Sequence, residues 1–217
     1  EFRSCTKLIA HICATKFGLQ WPELEELIYW ADLIDGAQYP DPRTAVEMLD
    51  PATQLTLVIE GSRAKDFVAA LVPDLVAKPL KEIAALPHIR QQFDELYSQH
   101  LQTMALIRQA AELHDGVVFF DLADRSPEGF NKFIPYYLFP EAVYSVALSR
   151  SQERAKIAVG SNPWNPRPKT ANLATICERF GGGGHAKVAA ISLPPTALEQ
   201  AREVARQIVE ELRASLR

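Results

Sequence analysis

Arg179-Phe180-Gly181-Gly182-Gly183-Gly184-His185 is the stretch on which the reading of this chain turns. Glycine loses more backbone freedom on folding than any other residue, so four in a row need a reason. One reason is chemical. Without Cβ atoms a phosphate can approach the backbone, and successive N–H groups can point at its oxygens. His185 follows directly and can add a hydrogen bond or a partial positive charge. The other reason is a helix C-cap followed by a flexible link, for which Gly181 alone suffices. On the residues alone both readings stay open.

The flanks place the run between a helix and a strand. Residues 170–180 read as a helix, and residues 188–193 as a strand. Upstream, residues 144–148 and 156–159 read as two strands joined by a polar turn, and residues 117–122 as a compact apolar strand. Residues 127–138 suggest a short helix. After Pro194-Pro195, Leu198, Ala201, Val204, Ile208 and Leu212 recur at helical spacing.

The N-terminal half has a different character. Ser4 is placed to cap a helix ending near Phe17, with Gly18 as the stop. Pro22 opens a second helix, rich in glutamate in its first turn, that runs into Asp35-Gly36. Residues 43–85 read as several short helices punctuated by Pro51, Gly61, Pro73 and Pro79, and Pro87 opens a long helix to about Asp115-Gly116. The expected fold class is α/β: a mostly helical N-terminal part (residues 1–86), a long connecting helix (87–115) and a smaller mixed α/β C-terminal domain (116–217).

Composition narrows the function classes. The chain has 217 residues, 47% of them hydrophobic, which is enough for a core without disulfides. A net charge of −4 argues against a broad basic face for long nucleic acids. Cys5, Cys13 and Cys177 lack zinc-ribbon spacing and read as small buried hydrophobes. No apolar run reaches membrane-spanning length and no signal peptide is visible, so no membrane partner is expected and the cytoplasm is the expected compartment.

The glycine run, its histidine and the later Ala189 resemble the GGGH signature of the domain associated with DHH-family phosphoesterases. That resemblance covers the C-terminal domain. It implies that Gly182, Gly183, Gly184 and His185 hold a phosphate or terminal nucleotide of the substrate. Two departures stand out. Many members continue to a small-small-Gly ending, where this chain has Val188, Ala189 and Ala190. Many also carry an arginine just before a serine on the strand preceding the helix, where this chain has Gly160-Ser161-Asn162. Ser161 is expected to keep its substrate contact, and Arg150 or Arg167 to substitute for the arginine. Trp164, in Asn162-Pro163-Trp164-Asn165-Pro166, can stack on a base or cover the core.

Residues 4–39 are similar to the end of a DHH catalytic domain. In that family a late aspartate binds metal, and Asp35, before Gly36 and Tyr39, stands in its place. Asp32, three residues earlier, reads as part of a polar helix end. The Asp-His-His triplet itself does not occur in the chain, and the resemblance assigns no catalytic residue here. It implies a hydrolase, dependent on a divalent metal such as manganese, acting on short oligonucleotides or small nucleotides. These 217 residues alone are expected to be inactive in hydrolysis. The alternative is a non-catalytic nucleotide- or RNA-binding module. A homodimer is compatible with either reading.

Overall fold

The computed structural model describes residues 2–62, 64, 66–125 and 129–217. These divide into two compact units, residues 2–99 and 100–217.

The first unit is helical. α1 (Cys5–Phe17) starts where the Ser4 hydroxyl accepts from the Lys7 N–H at 3.1 Å and stops at Gly18, whose φ of 66° suits a residue without Cβ. A 3₁₀ turn (Pro22–Leu24) leads into α2 (Glu25–Asp35), so Pro22 opens a turn before the helix proper. Four helices follow: α3 (Pro42–Val46), α4 (Pro51–Gly61), α5 (Phe67–Ala77) and α6 (Leu80–Ala84). Gly61 is the last residue of α4, as its place in the sequence suggests, whereas Pro73 lies inside α5 and does not break it. Pro73 is tolerated because it and Ala69, whose carbonyl loses its partner, are both exposed. The core of this unit joins Leu55, Val58, Leu71, Leu80 and Ile83 to Ile89 and Phe93 at the start of α7 (Pro87–Ala110).

α1 contributes no buried residue, and Leu8, Ile9, Ile12 and Phe17 are exposed. It is tied to α2 by Asp32, whose Oδ1 accepts from the N–H groups of Arg3 and Ser4 and from the Ser4 hydroxyl, at 3.1–3.2 Å. Lys7 Nζ donates to Oδ2 at 2.7 Å. The expected helix-end role for Asp32 is thus replaced by an anchoring one. Cys5 is exposed and Cys13 half-buried, against expectation, because they ride on this peripheral helix; Cys177 is buried.

The second unit carries a six-stranded mixed sheet in the order β1-β2-β3-β4-β6-β5. The strands are β1 (Glu112–His114), β2 (Val117–Asp121), β3 (Tyr144–Arg150), β4 (Ala155–Ser161), β5 (Gly183–His185) and β6 (Val188–Leu193). The long helix therefore ends at Ala110 rather than near Asp115, and β1, absent from the sequence reading, pairs with β2. Their two-residue turn has both residues left-handed, Asp115 at φ 49° and Gly116 at φ 80°, the geometry that suits a tight hairpin.

β2 and β3 are parallel, and all other pairs are antiparallel. The crossover between them carries α8 (Ile134–Leu138), shorter than the expected 127–138; Pro127 lies outside the described residues. α9 (Leu173–Glu178) is also shorter than expected, because Asn172 caps it and the three prolines of residues 163–168 precede the cap. α10 (Leu198–Ala214) buries the face anticipated from its spacing. Together α9 and α10 cover one face of the sheet, meeting Val146, Leu148, Ile157, Val159, Ala189 and Ile191.

Candidate functional site

The glycine run is half turn and half strand. Gly181 takes φ 76°, its N–H donates to the Glu178 carbonyl, and the Gly182 N–H returns to the Cys177 carbonyl at 2.9 Å. This closes α9 and delivers β5 to the edge of the sheet. A Cβ on Gly182 would meet the Ala190 carbonyl oxygen at 2.4 Å. One on Gly184 would meet the Val188 carbonyl oxygen, also at 2.4 Å. Both glycines are therefore required by their close approach to β6. Gly183 differs, since a Cβ there would meet nothing within 4 Å. It is the glycine of the run whose missing side chain leaves open space in a non-left-handed backbone.

Strand register shows what surrounds that space. His185 pairs with Val188, and Val188 with Gly160. Gly183 pairs with Ala190, and Ala190 with Ala158. Side chains alternate faces along a strand, so these six residues share the face opposite α9 and α10. The result is a shallow shelf of glycine and alanine with the exposed His185 at its rim. A planar or anionic group can lie against Gly183, Ala190 and Ala158, with the exposed side chains of Val188 and His185 beside it, and the imidazole can donate to it.

Tyr136 bounds the shelf. Its hydroxyl hydrogen-bonds to that of Ser145 at 2.7 Å, and both residues are buried. Burial raises the Tyr136 phenol well above its ordinary range. A Cβ on Gly160 would stand 2.7 Å from this hydroxyl. Tyr136 therefore occupies the room that a side chain at position 160 would need, which explains why no arginine stands there.

The other expected residues fall in different places. Ser161 pairs with Tyr144, on the opposite face from His185. Its N–H and its hydroxyl both donate to the Lys187 carbonyl, at 3.0 and 3.2 Å, so it holds the β5–β6 turn. Arg150 lies at the far end of β3 from the Tyr144–Ser161 pair and is ion-paired with Asp124 at 3.5 Å. Arg167 donates to the carbonyl of Leu216, and Trp164 packs edge-on against Phe133 at 5.3 Å. The structure thus brings Gly183 and His185 together on one face and leaves Arg150 and Arg167 engaged elsewhere.

Two lysines escaped the sequence reading. Lys187 follows His185 by two residues, and Lys169 lies in the proline-rich loop before α9. Burial, and then the charge of Lys187, lowers the pKa of the Lys169 amine.

In the first unit Asp35 ends α2 and is exposed. It lines a mostly apolar cavity of about 300 Å³ with Trp30, Ile34, Leu55 and Ile59. Among the described residues no three His, Cys, Asp or Glu side chains are grouped to hold an ion. The residues present therefore do not by themselves fit a divalent metal, for which Asp35 supplies a single oxygen ligand. No helix among the described residues is long and apolar enough to cross a membrane.

No protein-family model matches the chain, and no curated protein does either. Solved structures do match. A pGpG-specific phosphodiesterase, PggH, from Vibrio cholerae superposes with a TM-score of 0.75 at 20% identity, over 94% of this chain and 72% of that one. An exopolyphosphatase-related protein from Bacteroides fragilis gives 0.56 at 17% identity, over 99% of this chain and 58% of that one. A DHH domain from a member of the s1p family of ribosomal proteins gives 0.50 at 15% identity, over 87% of this chain and 51% of that one. The chain spans little more than half the length of the last two. Its fold, a helical N-terminal part followed by a mixed sheet, is the fold of these structures.

Proposed function

We infer that this chain is the substrate-holding part of a DHH-type phosphoester hydrolase that acts on short oligonucleotides or small nucleotides. One observation carries the reading. In a fold like that of a pGpG-specific phosphodiesterase, the edge strand β5 presents Gly183 over open space and an exposed His185 beside it. A phosphate or nucleotide laid on the shelf meets small residues, the apolar side chain of Val188 and one imidazole donor, which positions the ester without a large basic surface. The net charge of −4 agrees with a short ligand, since long nucleic acids are held through many phosphate contacts.

The resemblance adds a divalent metal, manganese in the first instance, with Asp35 as a ligand. Such an ion would polarise phosphorus–oxygen bonds and supply a nucleophile at neutral pH. The described residues do not group further ligands around Asp35, so no hydrolytic step is assigned to them. What this chain supplies is binding and orientation, which lower a barrier by holding the reacting groups in place.

The test is calorimetric titration of the chain with pGpG, with and without manganese, alongside a hydrolysis assay. Binding without turnover by this chain, with or without manganese, supports the reading; turnover by this chain contradicts its assignment to substrate binding and orientation. Failure to bind pGpG or any other short nucleotide contradicts it. Preference for structured RNA over short nucleotides would favour a non-catalytic RNA-binding module instead.

A further inference from the structure

Two buried hydroxyls in the second unit share a single hydrogen bond. Tyr136 on α8 and Ser145 on β3 are 3% and 7% exposed, and their oxygens lie 2.7 Å apart. Each hydroxyl carries one proton, and the pair makes one bond. Whichever oxygen donates, the other keeps a proton that no acceptor among the described residues receives. A buried donor left in that state costs more than a formed bond contributes. The buried serine and threonine hydroxyls elsewhere each donate to a protein oxygen: Ser4 to Asp32, Thr53 to the Asp50 carbonyl and Ser161 to the Lys187 carbonyl. The phenol of Tyr144 accepts from the Ala171 N–H, on the face that α9 and α10 cover.

The unsatisfied pair faces the β5 shelf. A Cβ on Gly160 would stand 2.7 Å from Tyr136 Oη and 3.4 Å from Ser145 Oγ, so both oxygens converge on the space that this half-buried glycine leaves. Gly160 pairs with Ser145 on one side and with Val188 on the other, and Val188 pairs with His185. Ser145, Gly160, Val188 and His185 therefore form one row on one face of the sheet. His185 is exposed at the outer end of the row, and two neutral hydroxyls close its inner end. Burial keeps the Tyr136 phenol protonated. No side chain of the row beside these hydroxyls is a cation, so an anion buried there would go uncompensated, whereas a neutral oxygen acceptor would not.

We propose that Tyr136 sets base specificity: with Ser145 donating to it, its hydroxyl donates to a carbonyl oxygen on the base of a nucleotide lying on the shelf. The proposal rests on the phosphoester-hydrolase reading for the nucleotide and for the phosphate at His185. Two inter-strand spacings separate Gly160 from His185, about 10 Å, which one nucleotide spans from its phosphate to the edge of its base. The base lies on Ala158 and Ala190, with Val188 beside it and Gly160 two residues further along β4. Guanine presents a carbonyl oxygen where adenine presents an amino group. An amino group there leaves the phenol proton unpaired, and a site built to donate to a substrate oxygen discriminates against the analogue that lacks it.

The experiment is calorimetric titration of the whole chain with pGpG and with pApA, comparing wild type, Tyr136→Phe and Gly160→Ala. Wild type is expected to prefer pGpG by about tenfold, the worth of one hydrogen bond from a donor otherwise left unpaired. Tyr136→Phe is expected to lose that preference while binding pApA as wild type does. Gly160→Ala keeps the hydroxyl but sets a methyl 2.7 Å from it, and is expected to lose the preference too. Thermal unfolding of each variant establishes that it is folded.

A preference for pGpG retained in either folded variant overturns the proposal and leaves the hydrolase reading standing. So does a wild type that binds the two dinucleotides equally, or a Tyr136→Phe that loses affinity for both alike. Should neither dinucleotide bind wild type, the hydrolase reading fails, and guanosine and adenosine followed by NMR test the hydroxyl alone. Guanosine that binds wild type in preference to adenosine, with no preference in Tyr136→Phe, then upholds the base site. Equal response to the two nucleosides in wild type, or none, overturns it.

Discussion

The backbone N–H and the hydroxyl of Ser161 converge on one acceptor, the carbonyl of Lys187, at 3.0 and 3.2 Å. This pair of bonds joins the end of β4 to the turn between β5 and β6, and so fixes where His185 and Lys187 stand. Ser161→Ala removes one of the two bonds. The expected loss is about 1 kcal/mol of stability, read from urea unfolding, together with weaker binding of pGpG. Unchanged affinity in a folded variant would separate the turn from the binding site.

The glycines of the run predict opposite outcomes for one substitution. Gly182→Ala places a methyl 2.4 Å from the Ala190 carbonyl oxygen and 2.6 Å from Ile191 Cγ1, so β5 must shift. The expected destabilisation is about 1–3 kcal/mol, as for other overpacked sites. Gly183→Ala meets nothing within 4 Å, so its unfolding midpoint should match wild type. Its affinity for pGpG should fall, because the methyl occupies the open space above the strand. Calorimetry on the two variants reads both effects.

Asp32 predicts a local response in the first unit. Its pKa is lowered, first by the hydrogen bond from Lys7, which outweighs the opposing effect of burial, and further by the bonds from the Arg3 and Ser4 backbone. A depressed carboxylate stabilises above its unfolded value of 3.8, and that contribution is lost as the pH falls below it. Protection of α1 amides, relative to the intrinsic exchange rate at each pH, should therefore fall on acidification through that range, and at neutral pH in Asp32→Ala. Exchange in α4 and α6, which form the core, should be unaffected.

Alkaline pH acts on the second unit. Burial pushes the Cys177 thiol from 9.0 to about 11, with the Arg179 charge opposing it. Burial likewise raises the Tyr136 phenol. Raised acids keep their protons in the folded state after the unfolded chain has released them, so their contribution is complete below the unfolded values and declines above them. For Cys177 the window is from 9.0 to about 11. Thermal unfolding midpoints should fall across that window, and Cys177→Ala should flatten the decline.

What the sequence revealed was mostly local. The limits of α1 could be read because Ser4 and Gly18 lie within a residue of them, and β6 because its apolar alternation is short-range. β1 could not: three residues after a long helix carry no periodicity, and only pairing with β2 makes them a strand. The glycine run read as a phosphate cradle, yet Gly182 and Gly184 are glycines because β6 passes against them, which is a tertiary contact. The anchoring role of Asp32 and the engagement of Arg150 with Asp124 share that cause. Each depends on residues far apart in the chain.

The most direct test of the central claim is the affinity of His185→Ala for pGpG, measured by calorimetry beside wild type. His185 is exposed on an edge strand, so its removal leaves the core intact and reports on binding alone. The account predicts a loss of about tenfold, equivalent to one hydrogen bond to a charged group, with the unfolding midpoint unchanged. Equal affinity in the two proteins would contradict it, and would place the substrate away from β5.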